Sequence, residues 1–199
     1  MNMSRWTRVA WCAAALAAIP TPAVAHTNPG LAAGFVSGVT HPLTGLDHVL
    51  AMVAVGIWGT QLGRPAIWLL PVSFPVVMAV GGVLGVRGVP IPGVEIGIAA
   101  SALILGLMIL VSARIPVGVA AAIVGVFAIF HGHAHGRELP AAADPVAFGV
   151  GFVLITGLLH VAGIGIGVIG RWPIGLRVLQ SIGALICAAG AYLLVRLVA

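Results

Sequence analysis

The chain has 199 residues, of which 61% are apolar and 7% charged, and its mean hydropathy is +1.20. A soluble domain is about 45–50% apolar and about 25% charged, and nine arginines, no lysine and four acids cannot cover a water-soluble globule of 20 kDa. A soluble enzyme, a disordered tail and a nucleic-acid binder are thereby excluded; the isoelectric point near 11.1 comes from dispersed arginines that form no basic patch. The composition predicts an all-α integral membrane protein.

Residues 1–25 read as a cleavable signal peptide. Arg5 and Arg8 form a positive n-region, an alanine-rich apolar core follows at 11–19, and Ala23-Val24-Ala25 is a small-x-small cleavage site. That core is too short for a membrane span, which needs about 20 residues. Cleavage would remove Cys12, make His26 the first residue, and leave Cys187 as a small apolar filler in an apolar run. Residues 26–199 are then one transmembrane domain.

Arginine and Pro/Gly clusters divide that domain into six apolar stretches, at 31–62, 65–86, 94–111, 116–131, 145–169 and 174–198. These predict a bundle of about six transmembrane helices. The first stretch exceeds one span and holds Pro42, so it is predicted to be broken, tilted or partly re-entrant. Glycine runs such as Gly81-Gly82-x-x-Gly85 indicate close helix packing. A cleaved leader places the mature N-terminus, and after six spans the C-terminus, outside the cytoplasm. Arg64, Arg114, Arg171 and Arg177 then fall in cytoplasmic turns, against Arg87, Arg137 and Arg196 outside. Trp58, Trp68 and Trp172 read as an aromatic belt at the cytoplasmic ends. This is the topology of a multi-pass protein of the bacterial inner membrane.

The scarce polar residues are gathered in two windows. His41, Asp47 and His48 lie in the first stretch; His131, His133, His135 and Glu138 lie at the end of the fourth. Together they hold five of the seven histidines and two of the four acids, and ionisable groups inside a membrane are functional candidates by default. A helix beginning at Pro42 would be capped by His41 and carry His48 at nearly the same angle, with Asp47 at about 240°. Either the chain is unwound around Gly45, or Asp47 orients a histidine from behind. His131, His135 and Glu138 follow i, i+4, i+7, a stripe that holds only if Gly132 and Gly136 do not end the helix.

The predicted topology sends both windows to the same, extracytoplasmic half of the bundle. Imidazoles with carboxylates suit a borderline divalent ion such as nickel, cobalt or zinc, whereas calcium and magnesium favour all-oxygen shells. Among the remaining residues, His26 offers an α-amino group and an imidazole as a chelating pair, and His160 sits mid-span as a further metal candidate or a satisfied core histidine. His133 reads as a solvated loop residue. Asp144 before Pro145 reads as an N-cap, Glu95 as an acid complementing a helix dipole, and Met52 and Met108 as packing.

His41-Pro42-x-x-Gly45-x-Asp47-His48, followed by Met52, Val55-Gly56 and Trp58, resembles the signature of the HupE/UreJ membrane proteins. Phe130-His131-Gly132-x-x-His135-Gly136-x-Glu138 resembles the family's second signature, and Leu158-Leu159-His160-x-Ala162-Gly163-Ile164-Gly165 its third. These are small permeases associated with hydrogenase and urease, whose substrate is nickel. The resemblance implies a nickel or cobalt uptake permease in which His41, Asp47, His48, His131 and Glu138 are essential. His135 joins them as a metal candidate on the stripe.

The chain shows no nucleotide-binding loop, so the energy would come from the membrane potential, a coupled ion, or trapping by a cytoplasmic nickel metallochaperone. No resident cofactor is expected, since the metal is cargo, and no enzymatic activity. Two rivals belong to other classes. An intramembrane zinc hydrolase could use three histidines and a carboxylate, but there is no H-E-x-x-H motif. A metal-binding accessory subunit would bind nickel without moving it.

Overall fold

Chain composition and proline placement explain most of the helix boundaries. The computed structural model describes residues 29–141 and 143–199, which form seven α-helices and a short 3-10 segment, with no strand among them. The proposed leader and His26 lie outside the described residues. The helices are α1 (Pro29–Thr44), α2 (Leu46–Leu62), α3 (Ala66–Val86), α4 (Val94–Leu110), α5 (Val117–Arg137), α6 (Pro145–Gly167) and α7 (Pro173–Val198). The 3-10 segment, Val168–Arg171, continues α6.

The first apolar stretch is broken, as its length and proline foretold. α1 and α2 meet at an angle of 83°. The break falls at Gly45, which is extended at φ −92° and ψ 111°. No helix begins at Pro42, and His41 is not an N-cap: both lie within α1. Proline removes one N–H from the helical ladder, which near the end of a helix costs a single bond. Thr44 Oγ1 donates to the His41 carbonyl at 2.7 Å, at the point where the ladder stops.

Helices α3, α5, α6 with its 3-10 continuation, and α7 are each long and apolar enough to cross a membrane, and the bent α1–α2 pair passes as a fifth. α4 is apolar but only 17 residues long. The count is therefore four or five where six were expected; the shortfall is α4, although each predicted stretch is helical. Valines and leucines such as Val76, Val80, Leu154, Leu158 and Leu185 point outwards, as they must where lipid is the solvent. Trp68 and Trp172 are exposed, but Trp58 is fully buried and its Nε1 donates to the Ala113 carbonyl at 3.1 Å. It belongs to the core and not to a belt.

α2 is the central element. It packs against α3, α4 and α6, and its segment 51–58 supplies Ala51, Met52, Ala54, Val55, Ile57 and Trp58 to the core. Around it α3 pairs with α5, α4 with α7, and α1 with α6. The α3–α5 pair is held by direct backbone contact: a Cβ added at Gly81 would run into the Ile129 carbonyl, and one at Gly132 into the Met78 carbonyl. Gly132 and Gly136 thus serve as packing residues and do not end α5, which runs on to Arg137. At the start of α6, Asp144 Oδ1 accepts from Ala147 N at 2.8 Å with Pro145 in the first turn, the cap that sequence predicted.

Candidate metal centre

The break at Gly45 aims the first turn of α2 at the last turns of α5. Asp47 Oδ1 accepts from the His48 backbone N–H at 2.9 Å and lies 3.3 Å from His48 Nδ1. A carboxylate on Nδ1 fixes the imidazole's tautomer and leaves Nε2 free as a ligand atom. That atom faces Nε2 of His135 directly. Both predicted alternatives for Asp47 therefore hold at once: the chain is interrupted at Gly45, and Asp47 orients a histidine.

Because α5 continues through its glycines, the His131, His135 and Glu138 stripe is real. Glu138 sits at the C-cap, its N–H bonded to the Ala134 carbonyl at 3.1 Å. Glu138 Oε2 is 2.9 Å from His41 Nε2 and 3.5 Å from His135 Nδ1. One ligand atom each from His41, His135 and Glu138 fall within 4.8 Å of one another, close enough to hold a metal ion. The His48 ring packs on both His131 and His135, with centroids 4.5 and 4.0 Å away. His131 Nδ1 donates to the Phe127 carbonyl at 2.9 Å. Its Nε2 is buried with no hydrogen-bond partner among the described residues.

These groups border a cavity of about 240 Å³ lined by His41, Asp47, His48, His135, Glu138 and, from the first turn of α4, Glu95. Glu95 thus does more than complement the dipole of its own helix; in the sequence its place at the start of the third stretch is the one signal of this, and it becomes legible only once the helices are paired. The cavity gathers three carboxylates with neutral-capable imidazoles, a donor set for a borderline divalent cation. The His135 and then the His41 imidazole beside Glu138 hold its carboxyl down at about 2 against the opposing effect of partial burial, so it remains a carboxylate at any physiological pH.

Three other residues are placed by the structure. His133 is no solvated loop residue: it is fully buried on α5, where Nε2 donates to the Val89 carbonyl at 2.7 Å and ties down the α3–α4 connection. It faces away from the stripe because it lies two residues from both His131 and His135 on one helix. His160 on α6 is buried against Phe74, ring centroids 5.4 Å apart. Neither of its ring nitrogens has a hydrogen-bond partner among the described residues. Met52 is core packing, as expected.

Fold and site together define a multi-pass, all-helical membrane protein with an imidazole–carboxylate cluster at one end of its bundle. The chain belongs to the HupE/UreJ family, described as HupE / UreJ protein, whose profile matches residues 14–193. It is similar to Protein HupE of Rhizobium leguminosarum bv. viciae, with 46% identity over 181 residues that cover 90% of this chain and 95% of that protein. No solved structure matches it.

Proposed function

We propose that this protein is a secondary transporter that imports nickel, or cobalt, across the bacterial cytoplasmic membrane to supply enzymes such as hydrogenase or urease. The observation that carries this reading is the convergence of His41 and Glu138, 97 residues apart, on His135. The family to which the chain belongs supports it.

A bare divalent ion cannot enter hydrocarbon, so ligands must replace its water stepwise. Glu138 and His41, at the rim, take the hydrated ion from the extracytoplasmic side. His135, His48 and His131 then replace water as the ion moves inward, with Asp47 holding His48 in its ligating tautomer. Glu95 adds a third negative charge at the cavity wall. The ion is cargo and not a resident cofactor, and binding must be weak enough for release. The short α4 serves as a sixth span in this reading, which keeps both termini of the mature chain extracytoplasmic. A cytoplasmic nickel metallochaperone, or the membrane potential, makes the import directional.

The test is 63Ni2+ uptake by nickel-starved cells expressing the protein or its His48→Ala variant at equal membrane abundance. Uptake by the wild type that falls to the vector background in the variant is expected. Equal accumulation by both overturns the assignment.

A further inference from the structure

Below the outer cluster the bundle holds a second group of buried polar atoms. Thr156 and His160 lie four residues apart on α6, so their side chains share one face one turn apart. Both are about 1% exposed. Thr156 Oγ1 and both ring nitrogens of His160 are buried without a hydrogen-bond partner among the described residues. Buried polar groups are nearly always partnered, and an unmade bond carries the full cost of desolvation. A pair left unmade on one face points to an occupant.

The order of these groups along the helices is set by the fold. The Phe152 ring packs on His135 of the outer cluster at 4.2 Å. Phe152, Thr156 and His160 are successive i, i+4, i+8 positions, which places His160 roughly 12 Å further along α6. On α5 the same inward direction leads from His135 to His131, whose Nε2 is also unpartnered. The ring of Phe74, fully buried on α3, stands between the two levels. It meets His131 edge-on at 5.6 Å and His160 at 5.4 Å. The His160 backbone is fixed from the other side, since a Cβ at Gly56 of α2 would run into its carbonyl.

We propose that Thr156 and His160 form an inner station for a partly hydrated divalent cation, separated from the outer cluster by the Phe74 ring. The proposal rests on the permease reading and adds to it a second site on the path. The ion leaves His131, passes the phenyl ring as it turns, and is taken by a His160 ring nitrogen, with Thr156 Oγ1 holding one of its waters. Two stations with an apolar partition allow the outer site to refill while the inner one empties, and multi-site occupancy is what lets tight binding coexist with release.

Two variants of the full-length protein test this, Thr156→Val and His160→Leu. Each replaces an unpartnered polar side chain with an apolar one, so if the groups were merely structural both should be neutral or stabilising. The probes are 63Ni2+ uptake by cells, 63Ni2+ binding to the purified protein, and thermal unfolding in detergent. Both variants are expected to unfold at or above the wild-type temperature and to bind nickel within about threefold of wild type. Their maximal uptake rate is expected to fall about tenfold or more, at an unchanged half-saturating concentration. Uptake within about twofold of wild type overturns the inner station and leaves these atoms to water alone. Loss of nickel binding together with uptake overturns it as a separate site. If His160→Leu disturbs insertion, Thr156→Val, a near-isosteric change, decides by the same criteria. A wild-type protein that neither binds nor accumulates nickel refutes the permease reading instead, a result distinct from each of these.

Discussion

Glu138 Oε2 lies 2.9 Å from His41 Nε2 and joins the end of α5 to the broken first stretch across 97 residues of sequence. The contact is partly exposed, with Glu138 side-chain exposure at 52%, so as a salt bridge it adds little to stability. Its value lies in putting a fixed negative charge and an imidazole on the rim of one cavity. Glu138→Gln keeps the shape and removes the charge. It is expected to lower nickel affinity about 10- to 100-fold while leaving membrane abundance unchanged, as read by equilibrium binding of 63Ni2+. The double variant Glu138→Gln/His41→Ala should lose less than the two single losses combined, because both act on one ion.

Asp47 touches His48 by backbone and side chain and is expected to act through it. Asp47→Asn retains an acceptor for the His48 N–H but not the charge that favours the Nε2-ligating tautomer. A loss of about 10- to 100-fold in nickel affinity is expected, smaller than the loss in His48→Ala. Binding isotherms of the three proteins at one pH check the order.

The acid side of the pH profile follows from the same groups. Glu138, held at about 2, does not titrate between pH 8 and 5. A histidine must be neutral to ligate, so uptake is expected to fall on the acid side as imidazoles of the site take up protons, and Glu138→Gln is expected to show the same profile at a lower plateau. An inflection that disappears in Glu138→Gln would assign the titration to the carboxylate and contradict its depressed pKa. Initial rates of 63Ni2+ uptake at fixed membrane potential are the measurement.

The convergence of His41, Asp47 and His48 with His135 and Glu138 was legible in the sequence, because the clustering of scarce imidazoles and acids in two windows needs no atomic detail. The broken first stretch was legible from its length and Pro42, and the Asp144 cap from its spacing. What was misread depended on a single local boundary. Taking Pro42 as a helix start mistakes a proline in the last turn of α1 for an N1 residue; the new helix starts only after the break at Gly45. Allowing α5 to end at Gly132 put His133 in solvent, whereas Gly132 is the contact point with the α3 backbone. Glu95 was assigned to its own helix because nothing local to residues 94–98 shows that α4 begins beside the α1–α2 break. Pairwise helix contacts of this kind are tertiary facts that periodicity does not carry.

His133 and His135 give the sharpest contrast, since they are two residues apart on one helix and equally hidden from solvent in kind. His135 Nε2 faces His48 across the cavity, while His133 Nε2 is committed to the Val89 carbonyl. His135→Ala is expected to lower nickel affinity by about tenfold or more. His133→Ala is expected to leave affinity within about twofold and instead destabilise the protein by about 1–3 kcal/mol, from the cavity it opens and the Val89 carbonyl it strands. Binding isotherms paired with unfolding in detergent separate the two effects. If His133→Ala loses nickel while its stability is unchanged, the imidazole is a ligand. The bond to Val89 would then not describe the working state, and the site would extend around α5 towards the α3–α4 connection.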